Sequence, residues 1–219
     1  LPASTVLEAP DPERLLGPER QKLYMAKLGT CNYLATQTRG DIAVAVSKLG
    51  AFMQQADEHH MKAIDHVLAY LAGTPDVGLI YRRSGLKLLV LRAYSDASFA
   101  DKGQTGDGRR RSHSGIILML NMCACLWKSQ VQKSVALATC ESELIALSQT
   151  TQEVVYMRRL LQFLGFTQAH ATVIYEDNTA AEAIAMSDLS TKRSRFIDTR
   201  HFYCKEKVQE GEIKVVRCD

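Results

Sequence analysis

Hydrophobic residues in the first third of the chain recur every three or four positions, after a proline-rich stretch over residues 1–18. This spacing predicts amphipathic helices, because an α-helix completes a turn every 3.6 residues. The predicted helices cover residues 20–35, residues 41–54, and a segment from Asp57 or Glu58 to Leu71. Asp41 directly follows Gly40, so we expect its side chain to cap the second helix.

After Gly78 the pattern changes to short apolar runs bounded by turn-forming residues, which is typical of strands. The predicted strands cover residues 79–81, 86–94, 115–120, 124–127, 171–175 and 213–218. The predicted helices cover residues 139–164, 178–186 and 199–210, and a polar loop covers residues 100–111. A meander of strands followed by alternating helices and strands predicts an α/β fold, with a mixed sheet covered by helices.

The length of 219 residues corresponds to one large domain or to one and a half, at about 150 residues per domain. We assign the half to a helical segment of residues 1–84 and the whole domain to residues 85–219. Hydrophobic residues make up 46% and charged residues 23%, which is typical of globular proteins and excludes a disordered tail or a collagen-like repeat. The apolar runs are too short to cross a bilayer, so we expect no membrane span.

The two ends of the sequence predict a fragment of a longer chain. The first residue is Leu1 rather than a methionine, and Asp219 directly follows a strand-like run. The first residues do not resemble a secretory leader, so we expect a protein that is not secreted.

The net charge of +3 is only weakly basic, so any basic surface for nucleic acid has to be local. The six cysteines form no CxxC pair, and the spacing of Cys123 and Cys125 is poor for a metal site. We expect buried free thiols in a reducing compartment.

Three acidic residues stand where an α/β fold places its chemistry. Asp96 lies at the end of the apolar run 88–96, and Asp177 lies at the tip of the strand-like run 173–177. Glu143 lies in the first turns of the predicted helix 139–164. Strand ends of open α/β sheets are where ligands bind. Three carboxylates that meet there repel each other unless a cation such as Mg²⁺ or Mn²⁺ lies between them. Such a site suits phosphoryl chemistry with two ions roughly 3.5–4 Å apart.

Each of these residues also has an ordinary structural explanation. Asp177 is placed to cap the helix that follows it, and Glu143 is placed to complement the dipole at a helix N-terminus. Asp96 is placed to close a strand into a turn. The pattern by itself leaves both interpretations open.

A series of motifs resembles the Pol polyproteins of copia-type retrotransposons. The segments that resemble their ribonuclease H domain are residues 94–100 (YSDASFA), 112–115 (SHSG), 127–130 (WKSQ), 135–137 (VAL), 141–147 (ESELIAL), 175–181 (YEDNTAA) and 196–202 (FIDTRHF). Residues 175–181 resemble the cys-asp-asn motif of this family. Upstream, residues 33–36, 39–43 and 70–74 resemble the region between polymerase and ribonuclease H. The match runs in the right order over nearly the whole chain.

The resemblance implies a ribonuclease H-like mixed five-stranded sheet flanked by helices. Residues 85–219 would form this domain, and residues 1–84 a helical connection segment after the reverse transcriptase. The catalytic and metal-binding residues would be Asp96, Glu143 and Asp177. Glu143 is preferred over Glu141 because the family's glutamate precedes an apolar residue and an Ala-Leu step, as Glu143 does here.

The implied activity is endonucleolytic hydrolysis of the RNA strand of RNA–DNA hybrids, with two Mg²⁺ ions, for which Mn²⁺ can substitute. The implied partners are the hybrid and the reverse transcriptase domain of the same polyprotein, with no membrane. The implied location is the cytoplasm, in virus-like particles, or the nucleus.

The resemblance also bears on a fourth carboxylate and on the residues that would contact nucleic acid. The family carries a fourth carboxylate on a final helix, which would begin where this sequence ends at Asp219, so we expect a C-terminally truncated domain. Ser98 stands where many relatives have a second acidic residue. The candidate nucleic-acid contacts are Ser98, Arg110, Arg111, Lys128, Thr139 and Thr179. For the charged ones, a solvated loop is the alternative.

Two other functions fit the same residues. One is a catalytically inactive module that binds hybrids or serves as a scaffold, as a remnant of such a polyprotein. The other is an integrase- or resolvase-type nuclease of the same superfamily. The order of the carboxylates disfavours the second, because Glu143 precedes Asp177 and integrase-type members place their glutamate last.

Overall fold

Three helices form between residues 18 and 73 in the computed structural model of the chain, which describes residues 7–81, 89–99, 111–177 and 195–218. They are α1 (Pro18–Gln37), α2 (Ala43–Gly50) and α3 (Glu58–Gly73). The chain divides into two compact units, of which the first holds these helices and the second holds most of the sheet. The predicted first and third helices are therefore confirmed. The proposed boundary near residue 84 stays a prediction, since residues 82–88 lie outside the described part.

The first and third helices begin as their sequences predict. Pro18 occupies the first turn of α1, where its missing N–H is not needed. Asp57 caps α3 by accepting hydrogen bonds from the backbone of His59 and His60. The apolar faces of the three helices pack into one core, whose fully buried large members include Tyr24, Leu49 and Ile64.

The prediction for the second helix is wrong in its start and in the role of Asp41. A 3₁₀ turn spans Gly40–Ile42, and α2 begins only at Ala43. The carboxylate of Asp41 accepts from the guanidinium of Arg39 at 2.9 Å and from the hydroxyl of Tyr70 at 2.9 Å. Arg39 is buried and needs a counter-charge. This tertiary demand overrides the local capping preference.

Five strands and two described helices follow, and all of them lie in the second unit except the last residues of the third strand, which belong to the first. These elements are β1 (Leu91–Ser98), β2 (His113–Leu120), β3 (Cys123–Val131), α4 (Thr139–Phe163), β4 (Thr172–Glu176), α5 (Arg195–Gln209) and β5 (Ile213–Arg217). The strand order across the sheet is β3-β2-β1-β4-β5. Strand β1 pairs antiparallel with β2 and parallel with β4, and β4 pairs parallel with β5. The predicted mixed five-stranded sheet is confirmed.

Turn and end residues account for the connections between these elements. Asn121 and Met122 both have positive φ angles, 49° and 68°, which suit a two-residue hairpin turn between β2 and β3. Gly165 follows α4 with a φ of 85°, and Gly211 follows α5 with a φ of 72°. Both glycines adopt the left-handed conformation that ends a helix, as the sequence predicts.

Several predicted elements differ from the observed ones. Residues 79–81 form no strand, and the side chains of Ile80 and Tyr81 are largely exposed. Strand β1 begins at Leu91 and continues through Asp96 to Ser98, because this stretch pairs along its whole length with β2. The predicted helix 178–186, residues 100–110 of the predicted loop, and Asp219 lie outside the described residues.

The core of the second unit lies between the sheet and α4. Buried side chains of β1, β2 and β4 meet the apolar face of α4, and α5 packs against the same helix. The buried members of this core are Leu91, Ala93, Ile116, Leu118, Leu147, Val154, Leu161, Ile174, Cys204, Ile213 and Val215. This packing brings the first turns of α4 next to the ends of β1 and β4.

Candidate metal centre

Strand β1 places the carboxylate of Asp96 at the surface. Side chains alternate between the two faces of a strand, and along β1 the side chains of Ala93, Ser95 and Ala97 are buried. Asp96 is therefore exposed. Its cross-strand neighbour on β2 is Gly115, which has no side chain to cover it.

Strand β4 places Asp177 beside Asp96. The two strands are parallel, and Tyr94 is paired in register with Tyr175. Asp96 and Asp177 each follow their tyrosine by two positions. Because parallel strands advance together, the two aspartates come to the same edge of the sheet.

Helix α4 places the third carboxylate above this edge. Glu143 lies in the second turn of the helix and is buried, with 4% of its surface exposed. Its neighbours Leu144 and Ile145 are buried in the core, so the side chain is held next to the sheet. Glu141 does not join it: its carboxylate accepts a hydrogen bond from the backbone N–H of Leu137 at 2.7 Å.

One carboxylate oxygen each from Asp96, Glu143 and Asp177 lies within 4.8 Å of the others. Although Asp96 is exposed, partial desolvation by the protein around it, and then the negative charge of Asp177, raises its pKa. Burial, followed by the charges of Asp96 and Asp177, raises the pKa of Glu143 to about 7. The ionised forms of Asp96 and Glu143 are thus disfavoured in the absence of a cation, which is the electrostatic setting that attracts one.

A fourth acidic residue, Glu176, lies behind this cluster and was missed by the sequence analysis. It is the last residue of β4, and its side chain is 1% exposed. Burial, followed by the charge of Glu143, raises its pKa to about 8. The available signal was its position: it continues the buried alternation of Thr172 and Ile174, and it stands at the cysteine of the family's cys-asp-asn motif.

The donor set fits a hard divalent cation. All the groups are carboxylates, and oxygen ligands of this kind suit Mg²⁺ and Mn²⁺. One buried oxygen, Oε2 of Glu143, has no hydrogen-bond partner among the residues that the structure describes. An ionised buried carboxylate without a partner is costly, so a bound cation would relieve a defect of the cation-free site.

The candidate nucleic-acid contacts are placed unevenly around the cluster. Ser98 is exposed at the end of β1, and Thr139 is exposed at the start of α4. The ammonium of Lys128 forms an ion pair with Glu153 on α4 at 2.5 Å. Arg111 is half-buried. Arg110 and Thr179 lie outside the described residues.

No protein-family model matches the chain. The chain is 34% identical over 193 residues to the retrovirus-related Pol polyprotein from transposon RE2 of Arabidopsis thaliana, and 32% identical over 195 residues to that from transposon TNT 1-94 of Nicotiana tabacum. These matches cover 88% and 89% of the chain but only 13% and 14% of the polyproteins. The chain therefore spans about one seventh of these relatives.

A shorter relative is Secreted RxLR effector protein 161 of Plasmopara viticola. It is 39% identical over 134 residues, which are 61% of this chain and 90% of that protein.

Two solved structures are similar. One is a foamy viral protease-reverse transcriptase in complex with double-stranded DNA, with a TM-score of 0.52 and 11% identity over 94% of this chain and 32% of that chain. The other is RNase H1 of Halobacterium salinarum, with a TM-score of 0.40 and 11% identity over 58% of this chain and 84% of that chain. At such low identity the first likeness concerns the fold alone.

Among the helices of the described residues, none is both long and apolar enough to cross a lipid bilayer.

Proposed function

Because the chain belongs to the retrovirus-related Pol polyproteins of copia-type transposons, we propose that its second unit is a ribonuclease H. Its reaction is endonucleolytic hydrolysis of the RNA strand of RNA–DNA hybrids. The observation that carries the proposal is the meeting of Asp96, Glu143 and Asp177 within 4.8 Å. These residues come from a central strand, from the helix that covers it and from the neighbouring parallel strand.

Each carboxylate has a distinct part in this mechanism. Asp96 and Asp177 are exposed, so they would hold the cations on the side from which the scissile phosphate approaches. Glu143 approaches from the buried side, so its carboxylate is shielded from water. Together they would hold two Mg²⁺ ions, or Mn²⁺ in their place, which supply an activated water and stabilise the leaving 3′ oxygen.

Recognition of the RNA strand depends on its 2′-hydroxyl groups, which distinguish it from DNA. The exposed hydroxyls of Ser98 and Thr139 lie on the elements that carry Asp96 and Glu143, and they suit hydrogen bonds to the sugar-phosphate backbone. We assign Arg110, Arg111, Lys128 and Thr179 to the same interface. Lys128 would have to leave Glu153 or share its charge with it.

We assign residues 1–84 to the helical connection that follows the reverse transcriptase. We also assign the reverse transcriptase domain of the same polyprotein as a partner of this chain. The family membership supports both assignments. The location that fits them is the cytoplasm, within virus-like particles, or the nucleus.

A cleavage assay tests the proposal. The chain is incubated with an end-labelled RNA–DNA hybrid in Mg²⁺ or Mn²⁺, beside Asp96→Asn and Asp177→Asn. Duplex DNA and duplex RNA serve as substrate controls, and Glu141→Gln serves as a charge control on α4, since its amide oxygen can still accept from the backbone of Leu137. We expect internal cuts in the RNA strand of the hybrid only, lost in both aspartate variants and kept in the control.

Two results would overturn the nuclease assignment. Tight binding of the hybrid without cleavage in either metal would favour the inactive hybrid-binding or scaffolding module. Equal cleavage by the parent and by Asp96→Asn would point to a contaminating nuclease.

A further inference from the structure

The buried carboxylate of Glu176 has no role in the three-residue site described above. Its side chain points into the interior, in line with Thr172 and Ile174 on β4. Neither of its carboxylate oxygens has a hydrogen-bond partner within the described part of the chain. A buried, unpartnered carboxylate is costly, and a fold retains one only where another gain compensates for it.

The surroundings of Glu176 are acidic or neutral. Glu143 and Asp177 act on it as like charges, and the hydroxyl of the nearby Ser95 is itself without a hydrogen-bond partner among the described residues. No salt bridge to Glu176 or Glu143 is found among the described residues. Burial penalises ionisation of both glutamates in the absence of a cation. The four carboxyl groups therefore extend from the exposed edge of the sheet into the interior with no positive charge of a described residue paired to Glu143 or Glu176.

We propose that Glu176 is a fourth carboxylate of the cation site, which supports Glu143 from the interior and adds its charge to the field that holds the cations. This inference rests on the proposed function of the site, because it assigns Glu176 to the same cations. Glu176 is a positioning residue here, since it reaches the cluster through Glu143. Groups that support metal ligands from behind in this way typically change metal affinity by about 10–100-fold when they are replaced.

The family's cys-asp-asn motif suggests which substitutions are informative. Glu176→Gln keeps the shape of the side chain and removes its charge. Glu176→Cys installs the residue that the motif has at this position, so it should fit the interior. Glu153→Gln removes one carboxylate charge from α4 at a place where the partner is Lys128, and it serves as the matched control.

Isothermal titration calorimetry with MnCl₂ on the full chain, in the absence of nucleic acid, tests the inference. We expect Glu176→Gln and Glu176→Cys to bind Mn²⁺ about 10–100-fold more weakly than the parent, with Glu153→Gln close to the parent. The fitted stoichiometry separates weaker binding from partial unfolding, because unfolded molecules lower the number of sites and leave the affinity of the rest unchanged. Parent-like affinity in both Glu176 variants overturns the inference.

The melting temperature in EDTA gives a second readout. If Glu176 is retained for cation binding at a cost to the cation-free fold, the melting temperature of Glu176→Gln in EDTA should equal or exceed that of the parent. Added Mn²⁺ should then raise the melting temperature of the variant less than that of the parent. A variant that gains as much from Mn²⁺ as the parent contradicts the inference.

The inference and the proposed function fail separately. If Mn²⁺ binding depends on Glu176 but the parent chain cuts no hybrid, the nuclease proposal is refuted and the inference about Glu176 stands. If the parent chain cuts hybrids and Glu176→Gln binds Mn²⁺ as tightly as the parent, the nuclease proposal stands and the inference about Glu176 is refuted.

Discussion

The ring of Tyr94 on β1 stacks on the ring of Tyr175 on β4, with ring centroids 4.9 Å apart and an interplanar angle of 21°. The two residues are also partners in the parallel register of these strands. Asp96 and Asp177 follow them by two positions each. The stack thus joins the two strands immediately before the point where they present their carboxylates.

Loss of this stack should loosen the site. Tyr94→Ala is expected to lower the free energy of unfolding by about 2 kcal/mol, since aromatic pairs add about 0.5–1.5 kcal/mol to the effect of area burial. Mn²⁺ binding should weaken with it, because the spacing of the aspartates is no longer held. Urea unfolding in EDTA and calorimetry measure the two effects. Tyr94→Phe keeps the ring and should match the parent; an equally stable Tyr94→Ala would refute the role of the stack.

Stability of the cation-free chain should fall as the pH rises. The pKa values of Glu143 and Glu176 are raised to about 7 and about 8 in the folded state. The folded state therefore binds more protons than the unfolded state, whose glutamates titrate near about 4.3. The contribution is fully present below that value and is lost as the pH rises toward 7 and 8.

Urea unfolding in EDTA between pH 5 and pH 8 measures this loss. Saturating Mg²⁺ should restore stability at pH 8, because a ligand that binds only the folded state stabilises it. The double variant Glu143→Gln with Glu176→Gln should lose most of the pH dependence over this range. Stability that increased from pH 5 to pH 8 in EDTA would contradict the raised pKa values.

Cleavage should separate the two neighbouring glutamates of α4. Glu143→Gln is expected to lower the cleavage rate by about a thousandfold, because loss of a metal-holding carboxylate removes several kcal/mol of transition-state stabilisation. Glu141→Gln should stay near the parent, since an amide oxygen can still accept from the backbone of Leu137. Single-turnover cleavage of a labelled hybrid measures both rates. The reverse order of effects would assign the catalytic position to Glu141.

The space beside Asp96 should matter for substrate entry. A Cβ atom at Gly115 would lie 3.8 Å from the backbone oxygen of Asp96 and 4.0 Å from its Cβ, which is ordinary van der Waals contact. Gly115→Ala should therefore fold and bind Mn²⁺ like the parent. Gly115→Leu extends a larger side chain over the exposed carboxylate, and we expect it to lower hybrid affinity while the melting temperature changes little. Fluorescence anisotropy with a labelled hybrid in Ca²⁺ would detect the difference, and equal affinity would show that the space is not used.

In the first unit, Asp41 should be a stabilising residue. It neutralises the buried guanidinium of Arg39, which also donates to the carbonyl and hydroxyl oxygens of Thr74. Asp41→Ala leaves this charge without its partner, and we expect a loss of about 2 kcal/mol in the free energy of unfolding. Asp41→Asn keeps the hydrogen-bond acceptor and should cost less. Urea unfolding at neutral pH measures both losses. If Asp41→Ala is as stable as the parent, Asp41 is not needed to compensate the buried charge of Arg39.

The local sequence pattern predicted most of the helices and strands of this fold, because the signals that start and end them come from residues close together in the sequence. The apolar spacing in α4 and the glycines that end α4 and α5 are signals that act within one or two turns, and the structure agrees with them within a residue or two. Residues 79–81 carry the same kind of apolar signal and form no strand. A short run of this kind becomes a strand only when another strand is available to pair with it.

The sequence by itself determined most of the elements and the mixed sheet, since strand ends and a helix start can be located from periodicity. Its pattern made Asp96, Glu143 and Asp177 candidates, and the family resemblance implied their role as metal ligands. Tertiary structure alone decided that these oxygens lie within 4.8 Å, that Asp41 pairs with Arg39, and that Glu176 is buried behind Glu143. The physical reason is the same in each case. The fate of a charge depends on which distant groups surround it after folding, and hydrophobic periodicity carries no information about those neighbours.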